Sequence, residues 1–378
     1  MMAHDLVLAG GRVIDPSQGI DRVTDVAFSG GKVAAMGDGL QGTSRRDVSG
    51  SIVTPGLIDL HTHVYWGGTS LGVDADAYSR QSAVTTSVDT GSAGPGNFPG
   101  FKAHVIDRAV SRVLVYLHVS FAGIFGFSPT IMVGESHDMR LMAAREAAAV
   151  ALAHPGCIIG IKVRVGRHAS GPSGIDPLVV ALDLADRTGL PLMCHIDEAP
   201  PTYADAVALL RPGDVLTHCF RPYPNAPMHA DGRIRDAVIA ARARGVLFDV
   251  GHGMGSFSWR TAREMTAAGF WPDTISSDVH AMCITGPAWD LLRTMTKFLA
   301  LGMPLVQVVA AATNLPAAAV RRTDLGTLAP GAAGDASVIA LEKRALDLED
   351  VEGEILRHHE WLVPKGMVIG GAWRDTGA

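Results

Sequence analysis

From Leu57 onward, short apolar runs alternate with longer Ala-, Leu- and Arg-rich segments, and this alternation limits the fold more than any other feature of the chain. The runs after the first are Ala83 to Asp89, Val113 to Val119, Ile158 to Val165, Leu190 to His195, Asp214 to His218, Val246 to Val250 and Thr274 to Asp278. Between them, Asp138 to Ala153, Pro177 to Thr188, Tyr203 to Leu210 and Arg233 to Arg244 carry helical composition. Strands joined by helices pair in parallel, and repetition on this scale predicts a closed (β/α)8 barrel of the TIM type. A doubly wound open sheet is the rival, but no Gly-rich phosphate fingerprint follows the first strand. Both ends of the chain read differently. Asp5 to Ala9, Arg12 to Asp15, Val26 to Ser29, Lys32 to Met36, Asp335 to Leu341 and Met367 to Trp373 are strand-like and broken by glycine turns. The expectation is a small β-sandwich built from residues 1–54 plus 325–378 beside a barrel of residues 55–324.

Bulk properties narrow the function. A chain of 378 residues that is 47% hydrophobic and 19% charged can bury a large core. The formal net charge of -6 provides no basic footprint for nucleic acid or an anionic membrane. The four cysteines, Cys157, Cys194, Cys219 and Cys283, are scattered, so neither a disulfide framework nor a zinc finger is expected, and a reducing cytoplasmic setting is. Residues 1–10 lack a basic stretch followed by an apolar run, so no signal peptide is read. The greasiest stretch, Phe298 to Val320, is interrupted by Gly302, Pro304, Gln307, Asn314 and Pro316 and reads as buried helix. A homo-oligomer is left open.

The strongest chemical signal is Pro55-Gly56-Leu57-Ile58-Asp59-Leu60-His61-Thr62-His63. Residues i and i+2 of a strand face the same side, so His61 and His63 point together at the C-terminal rim of the first barrel strand, where barrel active sites lie. Two neutral imidazoles there can grip one metal; the competing reading is a pair of satisfied polar histidines. In Gly160-Ile161-Lys162-Val163-Arg164-Val165-Gly166, alternation turns Lys162 and Arg164 inward. Two buried cations are costly unless they are paired or chemically altered. A carboxylated lysine would be an anion able to bridge two metals; a lysine paired with an acid is the alternative. His195 and His218 close consecutive strand runs and so reach the same rim, and Asp278 closes the last one. An aspartate there can bind metal through one oxygen and carry a proton on the other, although capping the next helix is a simpler role.

Taken together, H-x-H followed by Lys, His, His and Asp on successive strands resembles the binuclear amidohydrolase superfamily. The resemblance spans nearly the whole chain and includes the late Leu325-Gly326-Thr327-Leu328-Ala329-Pro330-Gly331 and Gly334-Asp335-Ala336. It implies two divalent metal ions, zinc being the expectation, with His61, His63 and Asp278 on the more buried metal and His195 and His218 on the more exposed one. It further implies that Lys162, carboxylated by CO2, bridges the two, that a hydroxide between them attacks, and that Asp278 is the general base and then acid.

The branch is set by the surroundings. Dihydroorotases continue H-x-H with x-Arg, but here Tyr65 stands two residues after His63. His-Thr-His-Val-Tyr with Gly251-His252-Gly253 and Gly255-Ser256-Phe257 resembles the deacetylase-type branch, which implies hydrolysis of an acyl, above all acetyl, amide or ester in a small molecule. The alternatives are a cyclic-amide hydrolase of dihydroorotase or hydantoinase type and a scaffold that has lost catalysis. Arg164 is the candidate for a substrate carboxylate, with a barrel-stabilising salt bridge as its rival role. His252, His280 and His118 are rim candidates for contacts to substrate, and Tyr65, Trp66 and Trp289 are candidate pocket walls.

Overall fold

The computed structural model describes residues 3–377. Its centre is a seven-stranded sheet of neighbouring parallel strands: Leu57–Thr62, Val84–Thr90, Arg112–His118, Ile158–Val165, Leu192–Ile196, Val215–Leu216 and Leu247–Phe248. The segment that follows is not a regular strand. It makes parallel bridges on both sides, Asp249 to Thr274 and Val279 to Thr62, and so connects the last strand of the curled sheet to the first. Backbone hydrogen bonds from Asp278 N to His61 O and from His63 N to Val279 O hold it there.

Side-chain alternation explains the layering. Leu117, Val163, Cys194 and Leu216 are fully buried against residues such as Leu178, Ala181 and Leu184 of the Asp176–Thr188 helix. The opposite side chains, among them Leu60, Val88, Tyr116, Met193 and Val215, fill the inner floor. Gly160 is required on that inner side, because a Cβ there would stand 2.1 Å from a Tyr116 ring carbon. The polar residues come at the C-terminal ends of the strands, above this floor.

Two further sheets use both ends of the chain. Lys32–Gly37, Asp25–Ser29, His4–Ala9 and Gly42–Asp47 form one in that order, and Ala372–Arg374, Ile355–Ile369, Ala336–Glu349, Ile52–Pro55, Arg12–Asp15 and Ile20–Val23 form the other. Leu6, Leu8, Val26 and Phe28 of the first share an apolar cluster with Val13, Val53, Val338 and Val368 of the second. Ile52–Pro55 lies between an early and a late strand, and it runs directly into Leu57–Thr62.

Some local expectations are corrected. The region read as one helix from Asp138 starts with a short 3-10 turn, and the α-helix covers only Ala144–Ala153. The Arg233 segment becomes helical at Asp236, after the cap residue Arg235, whose side chain makes no capping hydrogen bond. Phe298 to Val320 is divided among three short helices that Gly302, Pro304 and the turn at Thr313 separate. The two C-terminal strands are much longer than read, 14 and 15 residues, because their outer halves form a hairpin over the Leu291–Ala300 helix. Among the described residues, no helix is long and apolar enough to cross a membrane.

Candidate active site

The C-terminal ends of the parallel strands surround a cavity of about 400 Å³, lined by His61, His63, Lys162, His195, Asp278 and Arg164, with His280 and Arg221 beside them. His218 is fully buried immediately beneath it, 2.6 Å from His195 through Nε2 and Nδ1. Six side chains distant in the sequence therefore meet at one rim. Two of them, His218 and Asp278, have positive φ (69° and 50°), a conformation costly for non-glycine residues and typical of strained functional positions.

Hydrogen bonding fixes the imidazoles. Thr217 Oγ donates to Asp249 at 2.8 Å, so its oxygen accepts from His61 Nδ1–H at 2.9 Å, and His61 Nε2 is left as a lone pair. Asp249 also accepts from Thr274 and Ser276, both at 2.7 Å. His218 donates from Nδ1 to the Gly251 carbonyl at 2.7 Å, which leaves its Nε2 unprotonated as well. His63 uses Nδ1 on Ser92 at 2.9 Å. Partners of this kind orient metal-binding histidines and set their tautomer. Burial holds the proton affinity of all four imidazoles below the usual value, with Lys162 contributing to each, so they are neutral donors.

Asp278 Oδ1 is 3.2 Å from Nε2 of both His61 and His63, buried and without a hydrogen-bond partner. Ligand atoms of His61, His218 and Asp278 all lie within 4.8 Å of one another. Lone pairs converging with no proton between them suit a divalent cation, and nitrogen with carboxylate oxygen is the donor set that such cations take. Burial raises the Asp278 carboxyl to about 6. Gly253 must lack a side chain, because a Cβ there would stand 2.4 Å from Asp278 Oδ2.

Lys162 is fully buried, and its Nζ has one neighbour, His61 Nε2 at 3.4 Å; no carboxylate forms an ion pair with it among the described residues. Desolvation lowers its ammonium to about 8. Arg164 also lines the cavity, but its guanidinium donates to Glu135 at 3.1 Å, as in the salt-bridge reading. Glu135 is shared with His118, whose Nε2 lies 3.2 Å away. His280 accepts from Met282 N at Nδ1, so its Nε2–H is available on the cavity side, and burial lowers its imidazole to about 4.

Other candidates stand elsewhere. His252 is buried behind the cavity, stacked on Phe257, and accepts from Lys297 Nζ at 2.5 Å. Tyr65 stacks on Phe101 and donates to Asn97 O, away from the cavity wall. Trp66 is largely exposed, and Trp289 packs beneath Arg293. Sequence reasoning missed Asp59, Glu135, Asp197, Thr217, Asp249 and Arg221. Asp249 was detectable in principle, since it lies inside an apolar run with an inward side chain. Asp59 was quoted only as part of a motif, yet it accepts from Tyr78 and from the amide and hydroxyl of Ser277, and so fixes the residue before Asp278.

Residues 256–370 match the model of the amidohydrolase family. A deacetylase of Agrobacterium fabrum is 33% identical over 351 residues, which is 92% of this chain and 86% of that protein. A crystal structure of an adenine deaminase superposes with a TM-score of 0.91 at 28% identity, covering 99% of this chain and all of the other. A crystal structure of a dihydroorotase superposes with a TM-score of 0.89 at 29% identity, covering 98% and 99% of the two chains. With the rim geometry, these likenesses show that the chain belongs to the amidohydrolase family and is a hydrolytic enzyme acting on C–N bonds.

Proposed function

We propose that this enzyme removes an acyl group, acetyl foremost, from the amide or ester of a small molecule, using two divalent cations. The observation that carries the metal reading is Lys162: a buried cation without a counter-ion, set among four neutral imidazoles and an orphaned carboxylate oxygen. Such a group is costly as an ammonium. As a carbamate it would be the missing anion. His61, His63 and Asp278 would hold one ion, His195 and His218 the other, and Lys162 both; zinc fits this donor set. When bound, the ions supply Lewis acidity, drawing a water pKa towards neutrality and polarising a carbonyl.

The chain's own groups divide the remaining work. Oδ1 of Asp278 is turned to two imidazoles, which leaves Oδ2, on the Gly253 side, to take the proton of the attacking water and pass it to the leaving nitrogen or oxygen. His280, two residues further along the same segment and also lining the cavity, would present Nε2–H to the substrate. The same reading takes the curled sheet and segment 274–279 as one (β/α)8 barrel within residues 55–324. It takes the sheets of 1–54 and 325–378, with their shared apolar core, as a composite β-sandwich. A small-molecule substrate and a cytoplasmic setting, in keeping with four free cysteines, complete it.

Likeness to the Agrobacterium deacetylase over most of the chain favours deacylation. Ring opening is the second reading, favoured by the dihydroorotase superposition. Against it, Tyr65 occupies the position where dihydroorotases carry an arginine and supplies no cation to the cavity. Zinc- and bicarbonate-loaded protein is to be screened with N-acetyl amino acids and O-acetyl hydroxy acids beside hydantoin and dihydroorotate. Acetate release is expected. Ring opening without acetate release would reverse the order.

A further inference from the structure

Lys297 is a buried amine that the catalytic steps above do not use. It comes from the Leu291–Ala300 helix and is 1% exposed. Its Nζ donates to His252 Nε2 and to the Glu349 carbonyl, both at 2.5 Å, beside the rings of Phe257 and Trp259, and among the described residues no carboxylate forms an ion pair with it. A cation so placed costs stability that a methionine of similar length would not. Its neighbours show what it holds.

On one side lies the cavity wall. The Gly253 carbonyl can only accept, so His252 Nδ1 carries the ring proton and donates it at 2.9 Å; Nε2 is then the lone pair that Lys297 meets. The backbone runs on into Met254, Gly255 and Ser256, which line the cavity. Gly253 N bonds Ser277 O at 2.9 Å, and Gly253 packs so closely on Asp278 that a Cβ would stand 2.4 Å from Oδ2. The wall thus touches the carboxylate oxygen assigned to the proton.

On the other side lies the hairpin of the Ala336–Glu349 and Ile355–Ile369 strands. Its turn is bonded to the residues just after the wall. Val351 N donates to Phe257 O at 3.1 Å, Asp350 accepts from Trp259 N at 2.8 Å, and Glu352 accepts from Ser258 Oγ at 2.6 Å. Trp259 Nε1 donates to Leu348 O at 2.9 Å. Segment 252–259 is therefore gripped at its start through Lys297 and at its end by the turn, with the exposed Met254 and Gly255 between.

We propose that Lys297 and His252 are positioning residues for the hydrolysis: seated on the Glu349 carbonyl of the C-terminal hairpin, they hold the 253–256 wall against Asp278 and so fix the direction in which its Oδ2 meets the attacking water. The proposal rests on Asp278 as proton carrier and on neither choice of leaving group.

The test compares metal-loaded full-length wild type with Lys297→Met, His252→Phe, the double variant and Glu352→Ala, on whichever acetyl compound or cyclic amide the wild type hydrolyses. Misplacing a catalytic group by about 1 Å can cost about 100-fold, whereas Leu71 and Phe127 still offer the substrate their apolar walls. Lys297→Met is therefore expected to lower kcat by about 10- to 100-fold, with KM within about threefold and zinc content at the wild-type level. His252→Phe, which keeps the stacking on Phe257, should match it, and the double variant should lose no more than either alone, because Lys297 acts through His252. Hydrogen exchange read by mass spectrometry needs no substrate: the amides of 252–256 should exchange faster in both single variants. Glu352→Ala, at an exposed position, should lower kcat by about 2- to 10-fold and loosen the same amides, and it decides the matter if the buried variants do not fold. A kcat within about twofold of wild type in Lys297→Met, losses that add in the double variant, zinc loss in step with kcat, or unchanged exchange would overturn the proposal. If Asp278→Asn keeps its turnover, the proton-carrier reading falls, and exchange at 252–256 alone then decides whether Lys297 holds the wall.

Discussion

Replacing Thr217 with valine tests whether the buried hydrogen bonds behind the site set its affinity for metal. The change keeps side-chain volume and removes one hydroxyl. In the native arrangement that hydroxyl accepts from His61 Nδ1 at 2.9 Å and donates to Asp249 at 2.8 Å. Asp249 keeps its bonds to Thr274 and Ser276, so the loss falls on His61. Asp249 Oδ2 stands 3.9 Å from His61 Nδ1, too far for a hydrogen bond. A buried donor left without a partner costs about 1–3 kcal/mol. The imidazole is then free to turn or to move its proton to Nε2, the atom directed at Asp278. Loss of such an outer partner weakens metal binding by about 10- to 100-fold, which matches that energy. The assay is competition of metal-depleted protein with a chromophoric chelator for zinc. Thr274→Val is the control, because it removes one Asp249 bond without touching His61. Zinc affinity of Thr217→Val within about twofold of wild type would refute the reasoning.

Asp278→Asn should retain much of the metal and lose at least about 100-fold in kcat, measured by acetate release with metal analysis; turnover within about tenfold of wild type removes Asp278 as proton carrier. Lys162→Ala should lower bound metal to below half of wild type by elemental analysis, with partial recovery in a short carboxylic acid; unchanged metal content contradicts the bridge. Lys297 is buried between His252, the Glu349 carbonyl and the Phe257 and Trp259 rings, and its ammonium is lowered to about 7, chiefly by desolvation. The unfolded chain holds that proton up to its ordinary pKa of 10.5, so between about pH 7 and 10 it binds more protons than the folded chain, and stability gains up to about 1.4 kcal/mol per pH unit from this group. Urea unfolding should show that gain as an added slope in wild type that Lys297→Met lacks; equal slopes would show that Lys297 stays charged in the fold.

Most of the side chains that meet at the rim could be picked out because they come at strand ends, where period-two alternation and an abrupt apolar-to-polar switch coincide. His61 and His63 follow directly from that rule, and Lys162, inside its strand, from the alternation alone. The segment that links the last strand of the parallel sheet to the first was harder to read. Thr274 to Asp278 has a strand-like sequence, but Asp278 takes φ 50° and the segment holds only isolated bridges. Glu135 and Arg221 lie on loops, where no periodicity marks which side chain turns inward. Glu135 is found only through its long-range partners His118 and Arg164. The pairing of Arg164 was open in the sequence for the same reason, since its acid comes from a separate loop.

The Ile52–Pro55 strand lies between Arg12–Asp15 and Ala336–Glu349, two residues before the strand that bears His61. Ser337 Oγ also accepts from the Leu57 amide and donates to the Ala83 carbonyl, tying the starts of two strands of the parallel sheet to the late segment. During synthesis, then, the opening strand of the rim emerges early but has only one of its two flanking supports until position 336 has left the ribosome. A premature stop far downstream of every candidate rim residue would thus leave the first histidine pair on a segment held from one side only.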